Sequence, residues 1–317
     1  MPGALAQVGD HPAVRSTLSE VDEAVAAAYP GPLPSSLLLG ASEERTSGAS
    51  GSVEVALHLA VYTQALALFR LLLATEDMRP ATVLGHSLGD IAALAAVGTV
   101  TAGDGAKLLL AAEAARRRHR VPPGGLLALR LSASDTARLL REQSLPGLRL
   151  ACDNAPRQSV VCGPAEQLDA LSAAARGRSV KTVRVATRTL FHSPVLRAVA
   201  DDVRDVAARL PFATPRFPVR SAAPVPPPRH PAALRDAVTH HLTRPVCFRQ
   251  TTSVLALAGT TVVIEAAPRL LLTPLMKAVA PAFTVRTVLS QPPVPSDARG
   301  TNGTIPREGA GTRADPN

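Results

Sequence analysis

The residues Gly85-His86-Ser87-Leu88-Gly89 have the pattern and spacing of a nucleophilic serine box. A G-x-S-x-G box holds the serine on a sharp turn between a strand and a helix, where its hydroxyl is exposed for attack. The flanking residues fit this turn, because residues 81–84 predict a strand and the Ala/Leu run at 91–96 predicts a helix. The alternative is an ordinary glycine turn. We expect Ser87 to be a nucleophile.

A serine nucleophile needs a base, and His192 is the best candidate in the chain. It precedes Ser193 and Pro194, a pair that can cap and begin a helix. No acidic residue sits convincingly between Ser87 and His192, so the order of an ordinary Ser–Asp–His triad is missing. This favours a Ser–His dyad in which a backbone carbonyl orients the imidazole. The alternative is that His192 only caps or packs.

The elements that must position these residues mix helices with strands, which predicts an α/β fold. Between residues 125 and 185 the predicted order is β-α-β-β-α-β, that of a ferredoxin-like unit. We expect this small subdomain at residues 123–186, inserted into a large subdomain of residues 1–122 and 187–290. Residues 291–317 predict a disordered tail. The large subdomain should contain helices at 12–28, 53–75, 101–118, 194–210, 232–242 and 270–279, strands at 81–84, 261–264 and 283–289, and a loop at 1–10.

The composition narrows the classes of function. The chain has 317 residues, a net charge of +9, 3% aromatic residues and three cysteines. Cysteines without metal-type spacing indicate a reducing, cytoplasmic setting. No stretch approaches the roughly 18 uncharged apolar residues of a membrane span, so we expect no membrane contact. Because few aromatic side chains can stack on bases, the positive charge fits an acidic protein better than nucleic acid.

Four motifs together resemble the malonyl-CoA:acyl-carrier-protein transacylases and the acyltransferase domains of polyketide synthases. They are Gly85-His86-Ser87-Leu88-Gly89-Asp90, Phe191-His192-Ser193-Pro194, Arg235-Asp236-Ala237-Val238 with Pro245-Val246, and Val263-Ile264-Glu265-Ala266-Ala267-Pro268. The similarity runs from about Pro2 to Leu289 in the same order. It implies an α/β-hydrolase-like large subdomain with an inserted ferredoxin-like small subdomain.

The resemblance implies a role for each matched residue. Ser87 takes an acyl group from a thioester, His192 is the base, and the Leu88 N–H forms half of an oxyanion hole. His241 falls where the family has a residue whose backbone carbonyl holds the catalytic histidine. The implied reaction is ping-pong, with no bound cofactor and with acyl-CoA and a phosphopantetheine-bearing acyl carrier protein as substrates. A ketosynthase complex is a second partner that the resemblance allows.

The N-terminus departs from the family pattern. The family begins with a strand leading into Phe-Pro-Gly-Gln-Gly, whereas this chain begins Met1-Pro2-Gly3-Ala4 with no predicted strand. Ala4 occupies the glutamine position, whose backbone N–H belongs to the oxyanion hole, so Ala4 can donate only if its segment is held in place. Loss of one such donor costs about 10²–10³ in rate.

The acyl pocket departs from the family as well. Malonyl-selecting members carry an arginine that grips the free carboxylate, and the ungapped position here is Ala112. Arg116 lies one turn further along the same face of the helix and is the alternative cation for the carboxylate. His58 stands where the family has a glutamine, and Phe191 resembles the bulky residue of members that take unbranched acyl groups. These residues favour a small uncharged acyl group such as acetyl or propionyl, used as a starter-type unit.

The sequence leaves three alternatives to an acyltransferase that uses a small uncharged acyl group. An acyl hydrolase would let water attack acyl-Ser87 and clear stalled acyl groups from a carrier protein. A malonyl transacylase would bind the carboxylate in another way. A non-catalytic module would bind a carrier protein and keep a vestigial site. The basic run at residues 116–120 either receives an acidic carrier protein or is a solvated helix end.

Overall fold

The computed structural model describes residues 2–40, 50–224 and 230–290. Within these residues the chain forms twelve α-helices and eight strands. The helices are α1 (Pro12–Val25), α2 (Pro34–Leu39), α3 (Ser50–Thr75), α4 (Gly89–Ala96), α5 (Ala102–Arg118), α6 (Ala133–Glu142), α7 (Ala165–Arg176), α8 (Arg197–Ala208), α9 (Pro231–Ala237), α10 (His240–Thr243), α11 (Phe248–Leu257) and α12 (Thr273–Val279). The strands are β1 (Val83–Gly85), β2 (Gly125–Leu129), β3 (Arg149–Ala155), β4 (Gln158–Gly163), β5 (Thr182–Arg184), β6 (Val219–Ser221), β7 (Val262–Glu265) and β8 (Thr284–Thr287).

The small subdomain has the predicted ferredoxin-like arrangement. Strands β2, β3, β4 and β5 form one antiparallel sheet in the order β3-β4-β2-β5, with α6 and α7 packed against it. Its own core is apolar and includes Leu127, Leu139 and Leu168. These elements fall inside the predicted segment 123–186, and its exact bounds stay a prediction.

The large subdomain is built on two parallel pairs of strands, β1 with β6 and β7 with β8. Helices α3, α4 and α5 pack against one another, α8 packs against α5, and all four contribute to one large apolar core. On α3, Leu59, Tyr62 and Leu66 are fully buried, and the Tyr62 hydroxyl donates to the Ala102 carbonyl at 2.7 Å. Residues Val53–Thr75 are long and apolar enough to cross a membrane, although we expected no such stretch, and 72% of their most apolar window is buried inside the fold. The helix therefore serves as a core element here.

A backbone connection joins the two subdomains beside β3. The Asp153 N–H donates to the Val246 carbonyl, and the Val246 N–H donates to the Ala151 carbonyl, each at 2.8 Å. The Arg249 guanidinium contacts both carboxylate oxygens of Asp153 at 2.8–3.0 Å. Residues before α11 thus extend the small subdomain's sheet.

Several predicted elements differ from those observed. The helix predicted at 232–242 is two helices, α9 and α10, and the helix predicted at 270–279 begins only at Thr273. The Glu265 carboxylate accepts hydrogen bonds from the N–H groups of Leu271, Leu272 and Thr273, which fixes that later start. Three elements were not predicted: α2, β6 and α11.

The predicted loop at the N-terminus is confirmed over residues 2–10, which form turns. The Gly3 N–H donates to the Leu37 carbonyl at 3.1 Å, and the Leu5 N–H donates to the Leu38 carbonyl at 2.9 Å. The segment that carries Ala4 is therefore held against the residues of α2. The predicted disordered tail at 291–317 lies outside the described residues.

Candidate active site

Ser87 lies on the sharp turn that the sequence predicts, between β1 and α4. Its φ angle is +57°, a left-handed conformation that is uncommon for residues other than glycine. A Cβ atom on Gly85 would lie 2.4–2.5 Å from atoms of Asp90, so the first glycine of the box is required by close approach. A Cβ on Gly89 would meet nothing within 4 Å, so packing does not require the second glycine. The turn holds the serine in a strained backbone conformation.

Ser87 and His192 form the predicted pair. Ser87 Oγ lies 2.9 Å from His192 Nε2, and His192 Nδ1 lies 2.9 Å from the carbonyl oxygen of Arg244. Because a carbonyl only accepts, Nδ1 carries the proton and Nε2 is free to accept the serine proton. His192 has a φ of +62°, so both members of the pair have left-handed backbones.

Burial sets the charge state of the histidine. His192 is 3% exposed, and loss of solvation lowers its pKa to about 4, although the Arg244 carbonyl opposes this change. The imidazole is therefore neutral at pH 7, as an acceptor of the serine proton must be.

The orienting carbonyl belongs to Arg244, so the assignment of His241 to this role is wrong. His241 lies within the short helix α10, whereas Arg244 follows it in an extended conformation. The Ser193 N–H donates to the Leu242 carbonyl at 3.1 Å and holds this segment beside the histidine. The His241 side chain instead lines the cavity next to Ser87.

A second histidine anchors the serine turn to the small subdomain. His86 Nε2 lies 2.9 Å from Asn154 Oδ1, and the ring packs edge-on against Phe248 with centroids 5.0 Å apart. Neither Asn154 nor Phe248 was predicted as a site residue. An asparagine at the end of a strand gives no signal by itself, because only the fold brings it to the turn.

One cavity of about 230 Å³ opens beside Ser87. Its wall includes the predicted pocket residues His58, Ala112 and Phe191, together with Leu88. The His58 and Phe191 rings pack edge-to-face with centroids 5.4 Å apart. Burial lowers the pKa of His58, so this ring too favours the neutral form. Most of the other residues on the wall are aliphatic.

The charged groups on the cavity wall neutralise each other. Arg116 lines the cavity, but its Nε and one terminal nitrogen each lie 2.9 Å from a carboxylate oxygen of Glu113. Arg117 binds the same carboxylate at 2.7 Å, and both Arg118 and His119 contact Asp202. The basic run at 116–120 is therefore largely paired within the protein.

The two predicted oxyanion-hole donors differ in their placement. Leu88 lines the cavity, and within the described residues its N–H has no backbone acceptor. Ala4 packs against the apolar cluster around Leu5 and Leu38 and is not on the wall of this cavity. Its part in the oxyanion hole stays a prediction. Over the described ranges, no group of three or more His, Cys, Asp or Glu side chains could hold a metal ion.

The chain is similar in sequence to parts of large synthases. It is 34% identical over 137 residues to 6-methylsalicylic acid synthase of Penicillium patulum, which is 43% of this chain and 8% of that protein. It is 30% identical over 212 residues to polyketide synthase GfsA of Streptomyces halstedii, which is 66% of this chain and 3% of that protein. The chain thus spans less than a tenth of the length of these relatives.

Solved structures have the same fold. The malonyl CoA-acyl carrier protein transacylase of Coxiella burnetii superposes with a TM-score of 0.80 at 23% identity, covering 91% of this chain and 90% of that one. A type II polyketide synthase malonyl-transacylase, solved in complex with its acyl-carrier protein, has a TM-score of 0.79 at 21% identity, covering 90% and 91%.

The strained serine, its neutral histidine partner and the two-subdomain fold define a serine acyl-transfer enzyme. Residues 6–292 match the acyl transferase domain. The chain belongs to this family and is an acyltransferase.

Proposed function

We propose that this enzyme moves a short uncharged acyl group from a thioester, through an ester on Ser87, to the thiol of an acyl carrier protein. The observation that carries the proposal is the chain of contacts from Ser87 Oγ to His192 Nε2 and from Nδ1 to the Arg244 carbonyl, beside an apolar cavity. We propose polyketide or fatty-acid synthesis as its setting, which the similarity to polyketide synthases supports.

In the first half-reaction, Ser87 Oγ attacks the thioester carbonyl carbon while its proton moves to His192 Nε2. The C–S bond then breaks, and the proton leaves with the departing thiol. In the second half, the carrier thiol gives its proton to His192 and attacks the ester, and Ser87 recovers its proton. The Arg244 carbonyl stabilises the imidazolium that forms in each half. We propose the Leu88 N–H as one donor to the developing oxyanion, since Leu88 lines the cavity and its N–H has no backbone acceptor within the described residues, and the Ala4 N–H as the second.

The cavity wall supports an uncharged acyl group. Ala112 offers only a methyl group where a carboxylate would need a cation, and the Arg116 guanidinium is occupied by Glu113. A malonyl carboxylate would have to displace Glu113 or remain unpaired, and an unpaired buried charge costs roughly 3–5 kcal/mol. Acetyl and propionyl groups have no such cost.

The carrier protein needs a docking surface, and the edge strand β5, one end of which leads to the cavity, carries basic residues. We define the β5 basic surface as Arg130, Arg176, Arg178, Lys181, Arg184 and Arg188. The strand continues into Val185, which lines the cavity and is 41% exposed. Glu142 and Asp169 pair with Arg178 and Arg184. Arg130, Arg176 and Lys181 have no acidic partner within the described residues, which suits an acidic carrier protein.

Single-turnover chase experiments test the transfer step. The enzyme is first acylated with propionyl-CoA, freed of excess CoA ester, and then mixed with buffer or with a phosphopantetheine-bearing carrier protein. We expect the acyl group to leave Ser87 at least about tenfold faster with the carrier, because a positioned thiol has a large effective molarity. Carrier protein without phosphopantetheine is the matched control. Equal loss in buffer and with carrier would identify a hydrolase instead.

A further inference from the structure

One buried imidazole in the cavity has no use in the chemistry described above. His241 is 4% exposed and lines the same cavity as Ser87, His58 and Phe191. Its Nδ1 atom is buried and makes no hydrogen bond within the described residues. Buried nitrogen atoms without a partner are rare in folded proteins, because each one loses the hydrogen bond that water would give it.

The surroundings of the ring leave it an acceptor. The Val238 carbonyl is the hydrogen-bonding group beside the ring, and a carbonyl favours an N–H on the imidazole. Burial lowers the pKa of His241 to about 3, and the nearby His192, His58 and His240 act in the same direction. A neutral imidazole has one N–H and one bare nitrogen. Because Nδ1 has no accessible surface, a donor in the cavity can reach only Nε2, which is the bare nitrogen when Nδ1 carries the proton towards the Val238 carbonyl.

The rest of the cavity wall offers few competing partners for a donor on the substrate. The Glu113 carboxylate is occupied by Arg116 and Arg117, and the Thr187 and Thr189 hydroxyls both donate to the buried Glu54 carboxylate. The threonine hydroxyls keep acceptor lone pairs, and Thr187 Oγ1 already accepts from the Thr189 N–H. The neutral rings of His241 and His58 are further acceptors for a hydroxyl on an acyl chain.

We propose that His241 is a recognition residue for acyl groups that carry a hydroxyl, which donates a hydrogen bond to its bare ring nitrogen. This inference rests on the proposed function, because it concerns the acyl group that Ser87 receives. It narrows the substrate class from short uncharged acyl groups to hydroxyacyl groups of similar size. The histidine thus selects the substrate while His192 carries the proton.

Two matched pairs of thioesters test the inference: lactyl-CoA against propionyl-CoA, and 3-hydroxybutyryl-CoA against butyryl-CoA. The readout is the rate of Ser87 acylation by intact mass. We expect the wild-type enzyme to favour the hydroxylated member of at least one pair by about tenfold, since a polar site disfavours the analogue that leaves its acceptor unpaired. In His241→Leu the preference should fall to about one, mainly through slower reaction of the hydroxyacyl thioester.

Two further variants separate recognition from folding. His241→Gln keeps a side-chain acceptor and should retain a preference, and His240→Leu, at the neighbouring position, should behave as wild type. A wild-type ratio near one for both pairs would overturn the inference whatever the variants do, as would an unchanged preference in folded His241→Leu. An equal loss of rate for both members would assign His241 to another part of the thioester. No adduct on Ser87 from any thioester would contradict the proposed function itself.

Discussion

At the residue scale, the chemistry depends on two side chains held on left-handed backbones. Ser87 and His192 have φ angles of +57° and +62°. Such conformations cost of order 1–3 kcal/mol each and persist only where the surrounding structure fixes them. For Ser87 the fixing contact is the close approach of Gly85 to Asp90, and for His192 it is the bond to the Arg244 carbonyl.

The low pKa of His192 predicts the pH dependence of Ser87 acylation. The base must be neutral, and its pKa is lowered from the ordinary 6.5 to about 4. We expect the rate constant to stay level as pH falls through 6.5 and to decline only as pH approaches about 4. Stopped reactions analysed by intact mass, with circular dichroism to follow folding, measure this. A decline centred near 6.5 would show that the histidine is solvated in the reacting enzyme.

The alanine at position 112 allows a gain-of-function test, in which the enzyme acquires acylation by malonyl-CoA. Ala112→Arg places a guanidinium on the cavity wall, and we expect the ratio of malonyl to propionyl acylation to rise about tenfold or more. Ala114→Arg is the matched control, because Ala114 lies on the same helix but is exposed and does not line the cavity. If both arginine variants change the ratio equally, the position of Ala112 has no special meaning.

The residues of the site were predictable only where the functional group belongs to a side chain in a motif. Ser87, His192 and the three pocket residues carry motif signals, and the structure brings them to one cavity. No motif marks the carbonyl of Arg244, because every residue has a backbone carbonyl. The sequence is equally compatible with an orienting carbonyl three residues earlier, at His241. The same limit applies to Asn154, which reaches His86 only through the fold.

At the scale of elements, the serine turn is supported by a buried carboxyl group. Asp90 in α4 is 5% exposed and accepts a hydrogen bond from the hydroxyl of Ser221, which ends β6, at 2.5 Å. The other oxygen of this carboxyl group is buried and lacks a partner within the described residues. Desolvation raises the pKa of Asp90 to about 7, although the hydrogen bonds from Ser221 and Ala222 oppose this.

Asp90 predicts how stability changes with pH. Between the unfolded pKa of 3.8 and the folded value of about 7, the native state holds a proton that the unfolded state has lost. The contribution of Asp90 to stability should therefore fall as pH rises across that interval, by at most about 1.4 kcal/mol per pH unit. We expect Asp90→Asn to gain thermal stability relative to wild type as pH rises through this range. A constant difference in Tm across the range would contradict this.

Elements that coincide with apolar runs, caps or turn signals were predictable, whereas α2, β6 and α11 were not. The long helix α3 and the β-α-β-β-α-β order follow from runs of apolar residues and turn signals. Strand β6 has three residues and α2 has six, too few to show a period. Helix α12 begins later than predicted because the Glu265 carboxylate accepts hydrogen bonds from the N–H groups of Leu271, Leu272 and Thr273. This contact spans six to eight residues and has no local sequence signal.

At the scale of the whole molecule, the charge distribution supports the docking surface that we propose for the carrier protein. The basic run at 116–120 is paired to Glu113 and Asp202. Within the described residues Arg130, Arg176 and Lys181 of the β5 basic surface have no acidic partner, and Arg130 and Lys181 lie at the end of β5 opposite to Val185, which lines the cavity. Paired cations are poor docking groups, because a partner must first displace their acids. Unpaired cations attract an acidic partner directly, because no acidic residue of the enzyme has to be displaced first.

Charge reversal tests this placement. We expect Arg130→Glu with Lys181→Glu to raise the KM for carrier protein about tenfold, less at high salt, and to leave acylation by CoA esters unchanged. These residues are adjacent, since the Arg130 N–H donates to the Lys181 carbonyl at 2.9 Å. Arg209→Glu is the control, because it follows the end of α8 that is farther from His192. An unchanged KM in the double variant would remove the β5 basic surface from the account.

The most direct test of the central claim is the intact mass of the enzyme after incubation with malonyl-, acetyl- and propionyl-CoA, beside Ser87→Ala. We predict an acetyl or propionyl adduct on the wild-type enzyme, little or none from malonyl-CoA, and no adduct on Ser87→Ala. An adduct that persists in Ser87→Ala would contradict the assignment of the nucleophile. A malonyl adduct as abundant as the propionyl one would contradict the uncharged acyl pocket.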